Sequence, residues 1–351
     1  MLIGKVTVMK KVFADMFERT PDKIVNGDYY FRVPWYEQEY SAEAVARHNS
    51  VSVEEVYERQ EKKSKADFWN HWNERTLSGT FDNDFYKWTK YFKEEVRDPV
   101  IDSVIREIVR DNIPFVDIAS GECMGLASFL LKLNPDIPCL ISDIDTSLIG
   151  RLRRRVGEYL PDYDISLASF DNLALPFRSS AAECVTSIAA IGNSSSWKPF
   201  FPTPEMSFDD FRAANDRKLL REVYRVLKPG GRFITAEGSG DIELDWEKID
   251  HFFRHHDKLY GLFSEEIVRS RMREQEKSMK ITTLTDDKIR AAGFDIEAKK
   301  VYRRHLTSYE LTADFSENWE CVPLAEPHLD EDIIDIYTTS ALYILRKPAE
   351  E

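Results

Sequence analysis

Four short stretches carry residues whose types and spacing could hold a nucleotide-like ligand. The first, Ala119-Ser120-Gly121-Glu122-Cys123, follows the apolar run Phe115-Val116-Asp117-Ile118. Small residues in such a turn let backbone amides approach a ligand, and the helix that follows presents unpaired N–H groups. Asp117 could organise the turn or accept from a ligand ammonium. The second stretch is Asp143-Ile144, 22 residues after Gly121. A carboxylate there accepts two hydrogen bonds from vicinal ribose hydroxyls, with Asp145 the near alternative. The third is Phe170-Asp171-Asn172, before Leu175-Pro176-Phe177. Its acid can accept from an exocyclic amine while Phe170 or a neighbour covers an adenine face. The fourth, Leu227-Lys228-Pro229-Gly230-Gly231-Arg232, permits a sharp reversal and is more architectural than chemical. Each stretch alone has a plain structural reading; their order and spacing together do not.

To converge, these stretches must sit at the ends of neighbouring strands. Short apolar runs alternate with helical patterns along the chain. Strands are expected at Phe115–Ile118, Cys139–Ser142, Ile165–Phe170, Cys184–Ala190, Phe233–Ala236, Phe294–Val301 and Thr338–Leu345. Between them lie helices at Met124–Leu133, Ser147–Tyr159, Phe208–Leu227 and Thr285–Ala292. A further helix precedes them, with Val100, Val104, Ile105, Ile108 and Val109 on one stripe, closed by Asp111-Asn112. Strands alternating with helices imply βαβ units and a parallel sheet covered on both faces. The expected fold is α/β, a doubly wound, mostly parallel seven-stranded sheet with helices on both faces. In such sheets ligands bind beyond the carboxyl ends of the strands, where strand order reverses.

The flanks divide the chain further. Residues 1–95 are polar and studded with aromatics, six of them in the thirteen residues Asp28–Tyr40. Aromatics at that density pack something, and a mainly helical cap or lid is expected, with one helix from Ala42 to Lys65 and with Trp35, Tyr36 and Trp88 as lid residues. Residues 96–351 form the α/β domain, with a helical insertion at about 241–280 and a loop insertion at about 307–335.

Taken together, the stretches resemble the class I methyltransferases that use S-adenosyl-L-methionine. Val116 to Cys123 is similar to that family's hydrophobic-Asp-x-(Gly/Ala)-x-Gly-x-Gly loop, Asp143 to its ribose acid, Asp171 before Leu-Pro-Phe to its adenine acid, and Leu227 to Gly231 to its Leu-Lys-Pro-Gly-Gly turn. The resemblance covers roughly residues 96–237. It implies a Rossmann-like fold and S-adenosyl-L-methionine as cofactor, held by Asp117, Ala119, Ser120, Gly121, Asp143, Ile144, Phe170, Asp171 and Asn172. Two positions depart from the pattern: Cys123 replaces the last loop glycine, and the acid before the fourth strand is Glu183. The resemblance also implies in-line methyl transfer, here to a small-molecule acceptor. Alternatives are a protein or peptide methyltransferase and a non-catalytic binding protein on the same scaffold. An NAD-dependent dehydrogenase fits less well, because Met124 would stand where the third glycine of its loop packs helix on strand.

No general base declares itself. His251, His255 and Tyr260 are weak candidates in the segment after the fifth strand, the histidines sharing one helical face at i and i+4. Their plain reading is a charged surface helix. Asn193, after the small residues Ala189 to Gly192, could orient an acceptor.

Composition narrows the classes. A net charge of −14 argues against a nucleic-acid partner. The densest basic run, Arg151 to Arg155, has the ordinary reading of a solvated helix face. The four cysteines show no metal or disulfide spacing, and no metal is expected. Without a signal-peptide pattern or membrane-length apolar run, the expectation is a cytoplasmic protein with no membrane partner, in which exposed N-terminal aromatics leave a homodimer open.

Overall fold

The computed structural model describes residues 12–40, 42–58, 99–121, 126–163, 165–188, 190–191, 208–238, 284–305 and 337–349. The strands are β1 (Lys23–Val25), β2 (Asp28–Tyr30), β3 (Phe115–Asp117), β4 (Cys139–Asp143), β5 (Ile165–Ser169), β6 (Ala182–Ile188), β7 (Leu227–Gly238), β8 (Asp295–His305) and β9 (Tyr337–Arg346). The helices are α1 (Pro34–Tyr40), α2 (Ala42–Asn49), α3 (Pro99–Arg110), α4 (Ala127–Leu133), α5 (Thr146–Tyr159), α6 (Phe208–Val226) and α7 (Asp286–Ala291).

One mixed sheet runs in the order β1-β2-β5-β4-β3-β6-β7-β9-β8. From β2 to β7 every pairing is parallel, and β9 is antiparallel to both β7 and β8. The chain is an α/β protein of Rossmann-like architecture. Strand order reverses at β3, which lies between β4 and β6, so the crevice for a ligand opens beyond the ends of those strands.

Side-chain alternation builds two cores from this sheet. Phe115, Cys139, Ile141, Ile165, Leu167, Ile234 and Ile344 face one side, packed against α3, α4 and α5. Val116, Leu140, Ala168, Val185, Phe233, Tyr343 and Leu345 face the other, packed against α6, α7 and the N-terminal aromatics Phe13, Tyr29 and Phe31. Both faces are therefore covered, as expected for short strands without polar alternation.

The sheet has nine strands rather than seven, because the aromatic N-terminal segment adds β1 and β2 to its edge. Tyr29 pairs with Ala168 and Tyr30 with Ser169. The ladder continues where the Phe31 amide donates to Ser169 at 2.9 Å. Nor is Ala42 onward a single long helix: α2 stops at Asn49, Ser50 turns to φ +56°, and Ser52 Oγ caps the Glu55 amide at 3.0 Å, so a second start signal interrupts the first. On α3, Val100 is 45% exposed and Ile101 takes the inward place with Val104, Ile105 and Ile108, an i, i+3, i+4, i+7 set.

The basic run on α5 is largely packed. Arg151 and Arg155 are buried, and Arg153 is ion-paired with buried Asp28. Cys139 and Cys184 are buried core residues, and burial pushes the Cys184 thiol up to about 12. The helical insertion expected at about 241–280, the 307–335 segment, Trp88, Cys123 and Cys321 lie outside the described residues.

Candidate cofactor crevice

The ends of β3, β4 and β5 bring the first three stretches together. Asp117 closes β3 and is completely buried. Ser120 Oγ and Thr186 Oγ1 hydrogen-bond to its two carboxylate oxygens, and the Ala127 amide at the start of α4 donates to it as well. Burial outweighs these donors and raises its pKa to about 7. Of the two uses open to it, Asp117 is turned to the first: it ties the loop to β6 and to α4.

The loop is strung between the neighbouring strands. The Ile118 amide donates to Thr186 O at 2.9 Å, and the Ser120 amide donates to Ser142 O at 2.9 Å. Ser142 Oγ returns a bond to Asp117 O at 2.9 Å. Ala119 and Gly121 both adopt left-handed backbone, φ +53° and +57°. A Cβ built on Gly121 would meet nothing within 4 Å among the described residues, so among them only its backbone angle asks for glycine.

Asp143, at the end of β4, faces this loop. Its Oδ2 accepts from the Gly121 amide at 3.0 Å and its Oδ1 from the Asp145 amide at 3.1 Å. The Ile144 amide adds a third bond. Burial, reinforced by the nearby Asp145 charge, holds its carboxyl up to about 6. Part of Asp143 remains exposed at the crevice. Asp145 is used differently: it caps α5, accepting from the Ser147 amide at 2.8 Å. Asp143 thus braces the loop while Asp145 caps the helix.

Asp171 follows β5 and caps the single turn Asn172–Ala174 through the Leu173 amide, 2.8 Å from Oδ1. Trp35 Nε1 donates to its Oδ2 at 3.4 Å. Asn172 is half-buried, and its Oδ1 has no hydrogen-bond partner among the described residues. The Phe170 ring is 1% exposed, set edge-on to Phe31 and Phe177, so it is spent on the core and its backbone borders the crevice.

The Leu175-Pro176-Phe177 segment is pinned from two sides. Glu222 on α6 accepts from the Leu175 amide at 3.0 Å, and Arg225 donates to Leu175 O and Phe177 O at 2.9 and 2.7 Å. From the N-terminal side, Glu18 donates its amide to Pro176 O at 2.8 Å, and Phe17 stacks on Phe177 at 5.1 Å. The helix leading into Lys-Pro-Gly-Gly thereby steadies the Asp171 turn.

Sequence reasoning missed Glu237. It stands one residue before the end of β7, beside the end of β6, is 2% exposed, and accepts at Oε1 from Thr235 Oγ1 and the amides of Ala190 and Ile191. Its Oε2 has no hydrogen-bond partner among the described residues. Burial first, and the charge of Asp216 as well, raise its pKa to about 8. An acid ending an otherwise apolar strand was the available signal. His251, His255, Tyr260 and Asn193 lie outside the described residues. Among the described residues, no group of three or more His, Cys, Asp or Glu is placed to hold a metal ion.

The fold and crevice define a Rossmann-like protein with acids at three successive strand ends around a left-handed loop. No family model matches the chain. Its curated relatives include ubiquinone/menaquinone biosynthesis C-methyltransferase UbiE of Pasteurella multocida, 26% identical over 145 residues, or 41% of this chain and 47% of that protein. The protein of the same name from Rickettsia bellii is 29% identical over 148 residues, covering 39% and 49%. The chain spans about half the length of these relatives. Among solved structures, a SAM-dependent methyltransferase from Methanosarcina mazei is 12% identical with a TM-score of 0.41, covering 70% of this chain and 98% of that one. The resemblance to class I methyltransferases read from the motifs is borne out by the curated relatives, which are themselves methyltransferases.

Proposed function

We propose that this protein is an S-adenosyl-L-methionine-dependent methyltransferase that transfers a methyl group in line to a small-molecule acceptor. One observation carries the reading: the Gly121 amide is bonded to Asp143 at the strand-order reversal, with Asp171 at the next strand end. The residues fit the cofactor. The reading is supported by a Gly121 with no described atom within 4 Å of a built Cβ, by the partly exposed Asp143 at the end of β4, and by the buried Asn172 acceptor beside Asp171. Asp143 would receive the ribose hydroxyls and Asp171 the adenine amine, while the 119–121 backbone borders the amino-acid end. Ile144 and Phe170 would contribute backbone, and Asp117 would hold the loop in shape.

When bound, S-adenosyl-L-methionine supplies a methyl group activated by its sulfonium charge. The protein's share is then alignment, which contributes roughly 7–11 kcal/mol in ideal cases. On the acceptor side, the buried bonds from the Ala190 and Ile191 amides to Glu237 would brace the ends of β6 and β7. The expected N-terminal cap is kept as part of this reading, supported among the described residues by the Trp35 contact with Asp171. A small biosynthetic molecule as acceptor is in keeping with the relatives' names.

Calorimetry with S-adenosylmethionine, S-adenosylhomocysteine and NAD tests the reading. Both sulfur ligands are expected to bind and NAD is not; no binding of either sulfur ligand overturns it. Asp143→Ala is expected to weaken S-adenosylhomocysteine binding by ~1–3 kcal/mol, the cost of unpaired ribose hydroxyls. Unchanged affinity would assign the ribose to another acid.

A further inference from the structure

The N-terminal segment does more than extend the sheet edge. β2 runs parallel to β5, and the two strands end side by side where the Phe31 amide meets Ser169 O. Each strand then gives rise within a few residues to one partner of a single hydrogen bond. Asp171 stands two residues past the end of β5, and Trp35 stands in the first turn of α1, just beyond β2. The shared ladder therefore fixes the distance between residues 136 apart in sequence.

Both partners are held. Tyr36, next to Trp35, is 7% exposed and sets its ring edge-on to the indole at 5.8 Å. Arg32 bonds Glu37 of α1 through its guanidinium at 2.7 Å, and its amide donates to Asp22 at 2.8 Å. On the other side, the Leu173 amide fixes Asp171 Oδ1. A carboxylate bonded at one oxygen can still swing about its terminal torsion, which is a broad two-fold well. A donor on the second oxygen, here the Trp35 indole at 3.4 Å, restricts that freedom, and each oxygen keeps a lone pair for a ligand.

We propose that Trp35 is a positioning residue of the adenine subsite, its indole N–H holding the Asp171 carboxylate in the plane that receives the exocyclic amine of an adenine. The inference rests on the S-adenosyl cofactor reading above. It follows that the N-terminal segment sets base selectivity. A correctly aimed carboxylate accepts from a 6-amino group and repels a 6-oxo group, whereas a swinging one discriminates less. Sites built around one buried hydrogen bond reject an analogue lacking its donor.

The test compares S-adenosylhomocysteine with S-inosylhomocysteine, whose purine carries oxygen in place of the amine, by calorimetry on the full chain. The wild type is expected to prefer S-adenosylhomocysteine. Trp35→Phe keeps an aromatic ring and removes the N–H. It is expected to lose ~2–10-fold in affinity for S-adenosylhomocysteine, the range of one net hydrogen bond, and to leave the inosine analogue within about 2-fold. The preference ratio then falls. Equal weakening of both ligands, or an unchanged ratio, overturns the proposal, because a merely structural tryptophan would not move the ratio. A wild type that binds neither ligand fails the cofactor reading itself and removes the ground for this one. Should the variant not fold, the assigned indole N–H resonance of Trp35 in the wild type decides. It is expected to shift with S-adenosylhomocysteine, and a resonance indifferent to saturating ligand overturns the proposal.

Discussion

Glu237, the second-to-last residue of β7, has three donors on one carboxylate oxygen and none among the described residues on the other. The groups around it are Thr235, the 190–191 amides and buried Asp216, which in turn lies 4.0 Å from Lys288 Nζ. Its folded pKa, about 8, lies above the ordinary 4.5. The folded state therefore holds a proton that the unfolded state releases between those values. The stability this contributes is full below about pH 4.5 and is lost as pH rises to about 8, at up to ~1.4 kcal/mol per unit. Glu237→Gln keeps an acceptor for the three donors and removes the titration. Its melting temperature measured from about pH 5 to about 8 is expected to fall less than the wild type's, so the variant gains on the wild type as pH rises. Asp117 and Asp143, raised to about 7 and about 6, slope the same way in both proteins. Parallel profiles would show that Glu237 is not protonated in the folded protein. That Asp117, Asp143 and Asp171 stand at three strand ends was legible in the sequence, because each follows an apolar run and stands beside turn-forming residues. Glu237 was not: its amide partners lie 46 and 47 residues away, and an acid in a strand looks the same at a surface edge as in a sealed turn.

Lys228-Pro229-Gly230-Gly231 lies at the start of β7, directly after α6, and its two glycines answer different demands. The β6–β7 register shifts there, with Ala182 opposite Leu227 but Cys184 opposite Arg232. Gly230 has φ +79° and room for a Cβ; Gly231 would set its Cβ 2.9 Å from Lys228 O, 3.0 Å from Glu183 O and 3.3 Å from Ala182 O. Those neighbours are backbone and cannot swing aside. Gly230→Ala is expected to cost about 1 kcal/mol, the price of left-handed backbone for a residue with a Cβ. Gly231→Ala should cost more, ~1–3 kcal/mol, by overpacking against three carbonyls. Urea unfolding measures both, and a milder Gly231→Ala would contradict the close approach. Most elements of the α/β region were legible because buried parallel strands are continuous apolar runs, as at Cys139–Asp143 and Ile165–Ser169. The strands at the N-terminus were not. β1 and β2 are three residues each, too short for a period to show, and Lys23-Ile24-Val25 packs little of itself.

At the scale of the whole molecule, one ion pair seats the N-terminal segment on the sheet. Asp28 of β2 is 1% exposed, and Arg153 of α5 reaches it with two guanidinium nitrogens, one of them Nε at 2.7 Å. The same arginine donates to Ile165 O at 3.1 Å, and Asp28 also accepts from the Leu167 amide. Helix α5, the edge of β5 and the incoming β2 thus meet at one charge pair. The sequence could not show this, since five positions rich in arginine look like a solvated face until a partner 125 residues away is known. Removing one member of a buried pair strands the other charge, at ~3–5 kcal/mol. Arg153 is partly exposed, so Arg153→Met is expected near the lower figure in urea unfolding. Asp28→Asn combined with Arg153→Met leaves no stranded charge and should recover most of the loss. In the single variant, amide exchange should also speed up at Tyr29 and Tyr30 before it does in β3 and β4, because the weakened seat lies at the sheet edge. A single variant that costs less than about 1 kcal/mol, or a double variant no better than the single, would mean that aromatic packing alone holds the segment. The ring contacts of Phe17 with Tyr29, Phe31 and Phe177 would then be the seat, and the sheet edge would hold without the charge pair.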